Sequence, residues 1–143
     1  MGTVSLPLLE EEAFESLEEI LQEIRELSSE GVAIVVEGKN DEKSLRELDI
    51  KGPILQFPSG GKTPLNSIEN LSHFDKVIIL TDFDRTGEEL AEYCRKHLEK
   101  LGVEVLFIYR DKLRSIVRKA VKDIEGLSKF VKSETLAREN SSN

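Results

Sequence analysis

Short aliphatic runs alternate along the chain with longer segments whose apolar residues recur every three or four positions. Four or five aliphatic residues in a row fit a strand that is buried on both faces, as in a parallel sheet. Apolar positions at helical spacing predict amphipathic helices that pack on such a sheet. Strands are predicted at 32–36, 54–57, 76–80 and 103–108, and helices at 10–28, 40–48, 65–71, 87–101 and 111–121. This alternation predicts an α/β fold with a mostly parallel, four-stranded sheet flanked by helices.

The amino-terminal helix carries the whole excess of negative charge. The chain has a formal net charge of −8, and residues 1–30 hold nine Glu and one Arg, so the acids and bases of the remaining chain are balanced. We expect this acidic amphipathic helix to pack on the domain that follows it. Its polar face is open to two further roles, which are dimerisation and masking of a basic face.

The carboxyl-terminal region has the opposite character. Residues 110–132 hold eight bases and three acids, and residues 111–132 are predicted to form a basic helical extension of the domain. Such an extension either faces the phosphate backbone of a nucleic acid or forms a solvated helix face. Residues 133–143 are polar, which predicts a disordered tail.

Two of the predicted strands end in acidic residues. Glu37 follows the run at 32–36, and Asp82 and Asp84 follow the run at 76–80. If these strands are parallel neighbours, they lie about 4.8 Å apart and the three carboxylates share one edge of the sheet. Like charges at such distances repel one another, and a bound cation relieves the repulsion. Carboxylate oxygens without a neighbouring His or Cys favour a hard ion, so we expect Mg²⁺.

Cysteine usage and hydropathy indicate the cellular setting. Cys94 is the single cysteine and excludes an internal disulfide, which is typical of a reducing compartment. No apolar run reaches the roughly 20 residues that span a bilayer, and the amino terminus lacks the basic start of a secretion signal. We therefore expect a cytoplasmic protein with no membrane partner. His73 and His97 have no partners at ligand spacing, so no zinc site is predicted.

The two acidic motifs together resemble those of a known family. The segment VVEGKND at 35–41 is followed by LTDFDRTG at 80–87, and each motif stands at a predicted strand end. This combination, over residues 31–110, resembles the Toprim domain that topoisomerases, bacterial primases and several nucleases share. By length the chain is similar to the small stand-alone Toprim proteins, often described as primase-like. The resemblance implies a Rossmann-like Toprim fold, a nucleic-acid partner (DNA or RNA) and bound Mg²⁺, which Mn²⁺ can replace.

The resemblance also implies roles for individual residues. Glu37 matches the family's glutamate, which acts as a general acid or base or as a metal ligand. Asp82 and Asp84 match its two metal-binding aspartates. Gly38 and Gly87 match glycines that let the backbone turn tightly beside the site.

One position departs from the pattern of the topoisomerases. These enzymes usually carry a further acid two residues after the second aspartate, where this chain has Thr86. This difference leaves open whether the site binds one metal ion or two, and it argues against topoisomerase activity. The leading hypothesis is Mg²⁺-dependent phosphodiester chemistry on nucleic acid, as a nuclease or a primase-like nucleotidyl transferase. The alternative is a non-catalytic module that binds metal and nucleic acid and acts with a partner protein.

Three basic residues near the predicted site are candidates for phosphate binding. Lys39 follows Gly38, Arg85 follows Asp84, and Lys62 lies in a glycine-rich loop between the two motifs. The sequence GGKT at 60–63 resembles the end of a nucleotide-binding P-loop, but Gln56 stands where that motif requires glycine. We therefore expect this glycine-rich loop to be flexible and Lys62 to reach phosphate from it. Asp41 fits either an indirect contact to a metal or the start of a helix.

Overall fold

The structure, a computed structural model, describes residues 6–58 and 63–141. Four parallel strands form its sheet, in the order β2-β1-β3-β4. They are β1 (Ala33–Val36), β2 (Ile54–Gln56), β3 (Lys76–Ile79) and β4 (Glu104–Leu106). Every neighbouring pair is parallel, and Ile34 of β1 lies opposite Ile78 of β3. The predicted α/β fold is confirmed. The first and third strands are parallel neighbours, which is the condition for the carboxylates after them to share one edge of the sheet.

Six helices cover the two faces of the sheet within these residues. They are α1 (Glu11–Ser29), α2 (Lys39–Glu47), α3 (Pro64–Leu71), α4 (Arg85–Glu99), α5 (Ile108–Val117) and α6 (Leu127–Ser141). Because successive strand residues point to opposite faces, Ile34 and Val36 join one apolar core and Ala33 and Val35 join the other. This is why β1 is aliphatic at every position. No described helix is both long and apolar enough to cross a membrane.

The inner face of α1 fills part of the first core. Leu17, Leu21 and Ile24 are fully buried, and α1 packs against α5. Most of the glutamates of α1 are exposed on its outer face. The predicted amphipathic helix is confirmed, and its apolar face belongs to the domain core.

The carboxyl-terminal boundaries differ from the prediction. The fourth strand ends at Leu106, and α5 begins at Ile108, inside the segment predicted as strand. The basic extension is not one helix, because residues 118–126 connect α5 to α6 without helical structure. The physical reason is a set of backbone hydrogen bonds between this connection and the acidic turn after β3, described below.

The predicted disordered tail is wrong for residues 133–141, which belong to α6. Glu134 is 2% exposed and accepts hydrogen bonds from the backbone N–H groups of Leu8 and Leu9, at 2.9 and 2.8 Å. Arg138 donates to the carbonyl of Leu9 at 2.8 Å and lies 3.9 Å from the centre of the Phe14 ring. Two of the polar residues that predicted disorder, Glu134 and Arg138, therefore have partners inside the domain. Residues 142 and 143 lie outside the described residues.

Candidate functional site

The ends of β1 and β3 bring Glu37 and Asp82 into direct contact. Glu37 follows β1, and its Oε2 accepts a hydrogen bond from the backbone N–H of Asp82 at 2.7 Å. These residues are 45 positions apart in the chain. Their contact follows from the parallel register, which also joins the N–H of Leu80 to the carbonyl of Val35 at 2.8 Å.

A tight turn after β3 holds the second acidic motif and begins α4. The Oδ1 of Asp84 accepts a hydrogen bond from the backbone N–H of Gly87 at 2.7 Å, which caps α4. The hydroxyl of Thr81 donates to the carbonyl of Gly87 at 2.7 Å and is buried. A Cβ at position 87 would lie 1.9 Å from the carbonyl oxygen of Asp82, so this close approach excludes a side chain. The requirement for glycine at this position therefore comes from backbone contact.

Gly38 has a different environment. Its backbone is extended, with φ −155°, and its N–H donates to Oδ2 of Asp41 at 3.0 Å. A Cβ there would lie 3.9 Å from that oxygen, an ordinary contact distance. Neither φ nor space demands glycine at position 38. Asp41 is 7% exposed and stabilises the start of α2, which is the structural role that its sequence position allowed.

Arg110 of α5 supports the acidic turn, and no pattern in the sequence indicates this role. It is 1% exposed, and it donates to the carbonyl oxygens of Thr81 and Asp82 at 3.1 and 2.5 Å. It also pairs with the carboxylate of Glu88 at 2.7 Å. Arg110 therefore does not belong to the basic surface in which its position at 110–132 had placed it.

The connection between α5 and α6 closes the other side of the turn. The N–H of Ile124 donates to Oδ1 of Asp82 at 3.1 Å, and the N–H of Phe83 donates to the carbonyl of Lys122 at 3.0 Å. Asp123 lies between these contacts. Burial is the main cause of the raised pKa values of Asp82 and Asp41, and the charge of Asp123 adds to both. Sequence reasoning missed Asp123, because no strand or motif marks it.

Glu37, Asp82 and Asp41 have pKa values above those of free carboxyl groups. Burial raises the pKa of Glu37 to about 7, and the charges of Asp82 and Asp84 add to the rise, against the hydrogen bond from the Asp82 N–H. The pKa of Asp82 is raised by burial and by the charges of Asp123 and Asp84. Burial likewise raises the pKa of Asp41 to about 6, with the charge of Asp82 as the second cause. The site thus concentrates negative charge that a cation would neutralise.

The residues fit a hard cation by chemistry, although they do not form a finished metal cage. Glu37, Asp82 and Asp84 each commit one carboxylate oxygen to a backbone N–H group, and the carboxyl groups of Glu37 and Asp82 also interact with each other. Oxygen donors of this kind suit Mg²⁺ or Mn²⁺. Among the described residues, no group of three or more His, Cys, Asp or Glu side chains is arranged to hold a metal ion.

Two of the three predicted phosphate-binding residues lie at helix starts beside this edge of the sheet. Lys39 is exposed in the first turn of α2, directly after Gly38. Arg85 is the first residue of α4, and its side chain is 93% exposed and pairs with Glu89 at 3.3 Å. Lys62 lies outside the described residues.

Comparisons with known proteins agree with this architecture. Residues 32–112, more than half of the chain, match the Toprim domain family. A UPF0292 protein of Pyrococcus horikoshii is 40% identical over 117 residues, which cover 81% of this chain and 84% of that protein. A solved structure of an Aquifex aeolicus protein superposes with a TM-score of 0.64 at 29% identity, covering 76% of this chain and 95% of the other.

The zinc-binding and RNA polymerase domains of the Aquifex aeolicus primase also align with the chain. They are 30% identical with a TM-score of 0.45, and the alignment covers 83% of this chain and 32% of the primase chain. The family match supports, in general terms, a metal-dependent role connected with nucleic acids. The chain belongs to the Toprim domain family and, within it, to the UPF0292 proteins.

Proposed function

We propose that the protein carries out Mg²⁺-dependent phosphodiester chemistry on nucleic acid, as a nuclease or a primase-like nucleotidyl transferase. The observation that carries the proposal is the contact between Glu37 and Asp82, which joins a carboxyl group of pKa about 7 to the acidic turn. A carboxyl group with such a pKa can both accept and donate a proton near neutral pH. Membership of the Toprim family supports the same class of chemistry.

Asp82 and Asp84 would hold the ion, with Glu37 either as a third oxygen ligand or as the group that moves a proton. When bound, Mg²⁺ supplies polarisation of a phosphoryl oxygen and stabilises charge on the attacked phosphate. Mn²⁺ can take the same oxygen ligands. The hydrogen bond from the Asp82 N–H fixes one oxygen of Glu37, so its second oxygen is the one that exchanges a proton with the attacking or leaving group.

Two helix starts favour phosphate at the same edge. α2 begins at Lys39 beside Glu37, and α4 begins at Arg85 beside Asp84. Helix amino termini present free N–H groups and partial positive charge, which attract anions. Lys39 and Arg85 add full positive charges to these helix starts, and Lys62 is proposed to contribute from the loop between β2 and α3.

The test is a set of isosteric substitutions, Glu37→Gln, Asp82→Asn and Asp84→Asn, each assayed with DNA and RNA substrates in Mg²⁺ and in Mn²⁺. We expect each variant to lose at least about a hundredfold in rate, because a proton-transfer group or a metal ligand is removed. Asp75→Asn, at an exposed acid before β3, is the matched control and should retain full activity. Full activity in Glu37→Gln and Asp82→Asn would show that the assignment of roles is wrong.

One observation favours a second candidate, a non-catalytic module that presents metal and nucleic acid to a partner protein. Each of the three carboxylates already accepts a backbone N–H, and this satisfies part of its bonding capacity without a ligand. Saturable binding of nucleic acid with no turnover in Mg²⁺ or Mn²⁺ supports this candidate. Turnover by the purified protein alone dismisses it.

A further inference from the structure

A group of unpaired cations lies on the connection from α5 to α6 and on α6 itself. Residues 118–132 hold five bases and two acids. All five bases are exposed, and none of them makes an ion pair within the residues that the structure describes. We name them the basic rim: Arg118, Lys119, Lys122, Lys129 and Lys132.

The arginines elsewhere in the domain contrast with the basic rim. Arg46, Arg85, Arg95 and Arg114 each pair with a glutamate. Their charge is therefore largely compensated within the protein. In a chain of net charge −8, uncompensated cations gathered within 15 residues of sequence form a local field of opposite sign.

The basic rim is fixed to the acidic site by backbone contacts. The carbonyl of Lys122 accepts from the N–H of Phe83 at 3.0 Å, and the N–H of Ile124 donates to the carboxylate of Asp82 at 3.1 Å. The backbone of Lys122, a member of the rim, therefore lies beside the turn that carries Asp82, which is proposed to hold the metal. Asp123 lies between these two contacts, and its Oδ1 accepts a hydrogen bond from the N–H of Gly126 at 2.8 Å.

The surface beyond Lys122 is concave. Lys122 and Lys129 line a depression of about 390 Å³, and Lys129 and Lys132 line a second one of about 720 Å³. Lys129 belongs to both, so the two depressions adjoin along α6. Among the described residues that line the second depression, the cations are Lys129 and Lys132 and the acids are Glu47 and Glu125.

We propose that the basic rim binds the phosphate backbone of a nucleic acid and leads it to the acids at the ends of β1 and β3. This inference rests on the proposed function and names the surface that grips the substrate. Exposed, unpaired lysines bind phosphates without reading sequence. Phe130, the single aromatic residue of the segment, lines the smaller depression but is only 9% exposed, so it offers little ring surface for base stacking. Recognition is therefore of the backbone and tolerates many sequences.

The test compares two double charge reversals in the full chain. Lys122→Glu/Lys129→Glu alters the basic rim, and Lys96→Glu/Lys100→Glu alters two exposed lysines at the far end of α4, roughly 20 Å along the helix from Asp84. Affinity for a fluorescein-labelled DNA duplex and an RNA hairpin is measured by anisotropy in EDTA over a series of KCl concentrations. We expect the rim variant to bind about tenfold more weakly and its salt slope to fall by about 2, with the control unchanged.

A second readout separates this proposal from the proposed function. Mn²⁺ binding, followed by its spin signal, should be the same in the rim variant and in the parent. If the parent protein does not bind Mn²⁺, the proposed metal chemistry is wrong, and the anisotropy data alone decide the rim proposal. If the charge reversal unfolds the protein, Lys122→Gln/Lys129→Gln gives the same comparison with a smaller effect. Unchanged affinity and salt slope in the rim variants, or an equal loss in the control, overturns the proposal.

Discussion

The guanidinium group of Arg110 donates a hydrogen bond to the backbone carbonyl of Asp82 at 2.5 Å, from a side chain that is 1% exposed. The same carbonyl lies where a Cβ on Gly87 would have to be. Arg110 on one side and Gly87 on the other therefore fix the backbone from which the Asp82 carboxylate projects. Arg110, which lies outside both acidic motifs, thus helps to determine where the Asp82 carboxylate points.

Replacement of Arg110 by Met tests this support. Met fills much of the volume but leaves the carbonyls of Thr81 and Asp82 without their donor, at a cost of about 1–3 kcal/mol for each unsatisfied buried group. We expect the free energy of unfolding, measured by urea titration, to fall by about 2–4 kcal/mol. Glu88→Gln is the control, because Glu88 is 57% exposed and its loss should cost less than about 1 kcal/mol. Equal effects of the two substitutions would contradict the supporting role of Arg110.

The two glycines of the acidic motifs should respond differently to alanine. Gly87→Ala forces a methyl group against the Asp82 carbonyl, so we expect a loss of about 2 kcal/mol or more in stability together with weaker Mn²⁺ binding. Gly38→Ala adds a methyl group at an ordinary contact distance, and its cost should stay within about 1 kcal/mol. Thermal unfolding and Mn²⁺ titration of both variants check the pair. Unchanged stability and Mn²⁺ binding in Gly87→Ala would show that the backbone of the turn can move to accommodate the methyl group.

Stability without metal should decline as the pH rises through the acidic range. The pKa of Glu37 is raised from 4.5 to about 7 in the folded protein, so the folded state holds its proton more tightly than the unfolded state. Its favourable contribution is complete below about pH 4.5 and is lost by about pH 7, a change of about 1–2 kcal/mol after allowance for partial exposure.

The substitution Glu37→Gln isolates this contribution. Gln keeps an oxygen for the Asp82 N–H and cannot ionise. We expect urea unfolding in EDTA at about pH 5 and about pH 7.5 to differ less for the variant than for the parent. Asp41, with its pKa raised to about 6, adds a decline of the same sign that the variant retains. If the stabilities of the two proteins change equally with pH, Glu37 is not the source of the pH dependence.

The contact between the amino-terminal segment and α6 should stabilise both. Glu134→Ala removes the acceptors for the N–H groups of Leu8 and Leu9, and we expect a loss of about 2 kcal/mol with faster amide exchange at those two positions. Glu134→Gln retains one acceptor oxygen, so its stability and its amide exchange rates should lie between those of Glu134→Ala and the parent. Unchanged exchange rates in Glu134→Ala would mean that the segment is held by other contacts.

The sequence predicted those parts of the site that depend on strand register. Aliphatic runs identify β1 and β3, and parallel pairing then requires Glu37 to meet the acids that follow β3. Arg110, Asp123 and Glu134 escaped prediction for a common reason. Each is a charged residue whose burial or position depends on a partner far away in the chain, and local patterns assign charged residues to solvent. The connection at 118–126 is irregular for the same reason, because Phe83 and Asp82 bond its backbone groups.

The structure of α1 limits how the acidic charge of the chain can be altered. Its inner face supplies Leu17, Leu21 and Ile24 to the core, while its outer face carries the glutamates. Truncation before residue 31 would therefore remove hydrophobic packing along with the charge, and any change in nucleic-acid affinity would be confounded with unfolding. Substitution of exposed glutamates by glutamine leaves the core intact. The charge of this helix can accordingly be changed residue by residue on an otherwise unchanged scaffold.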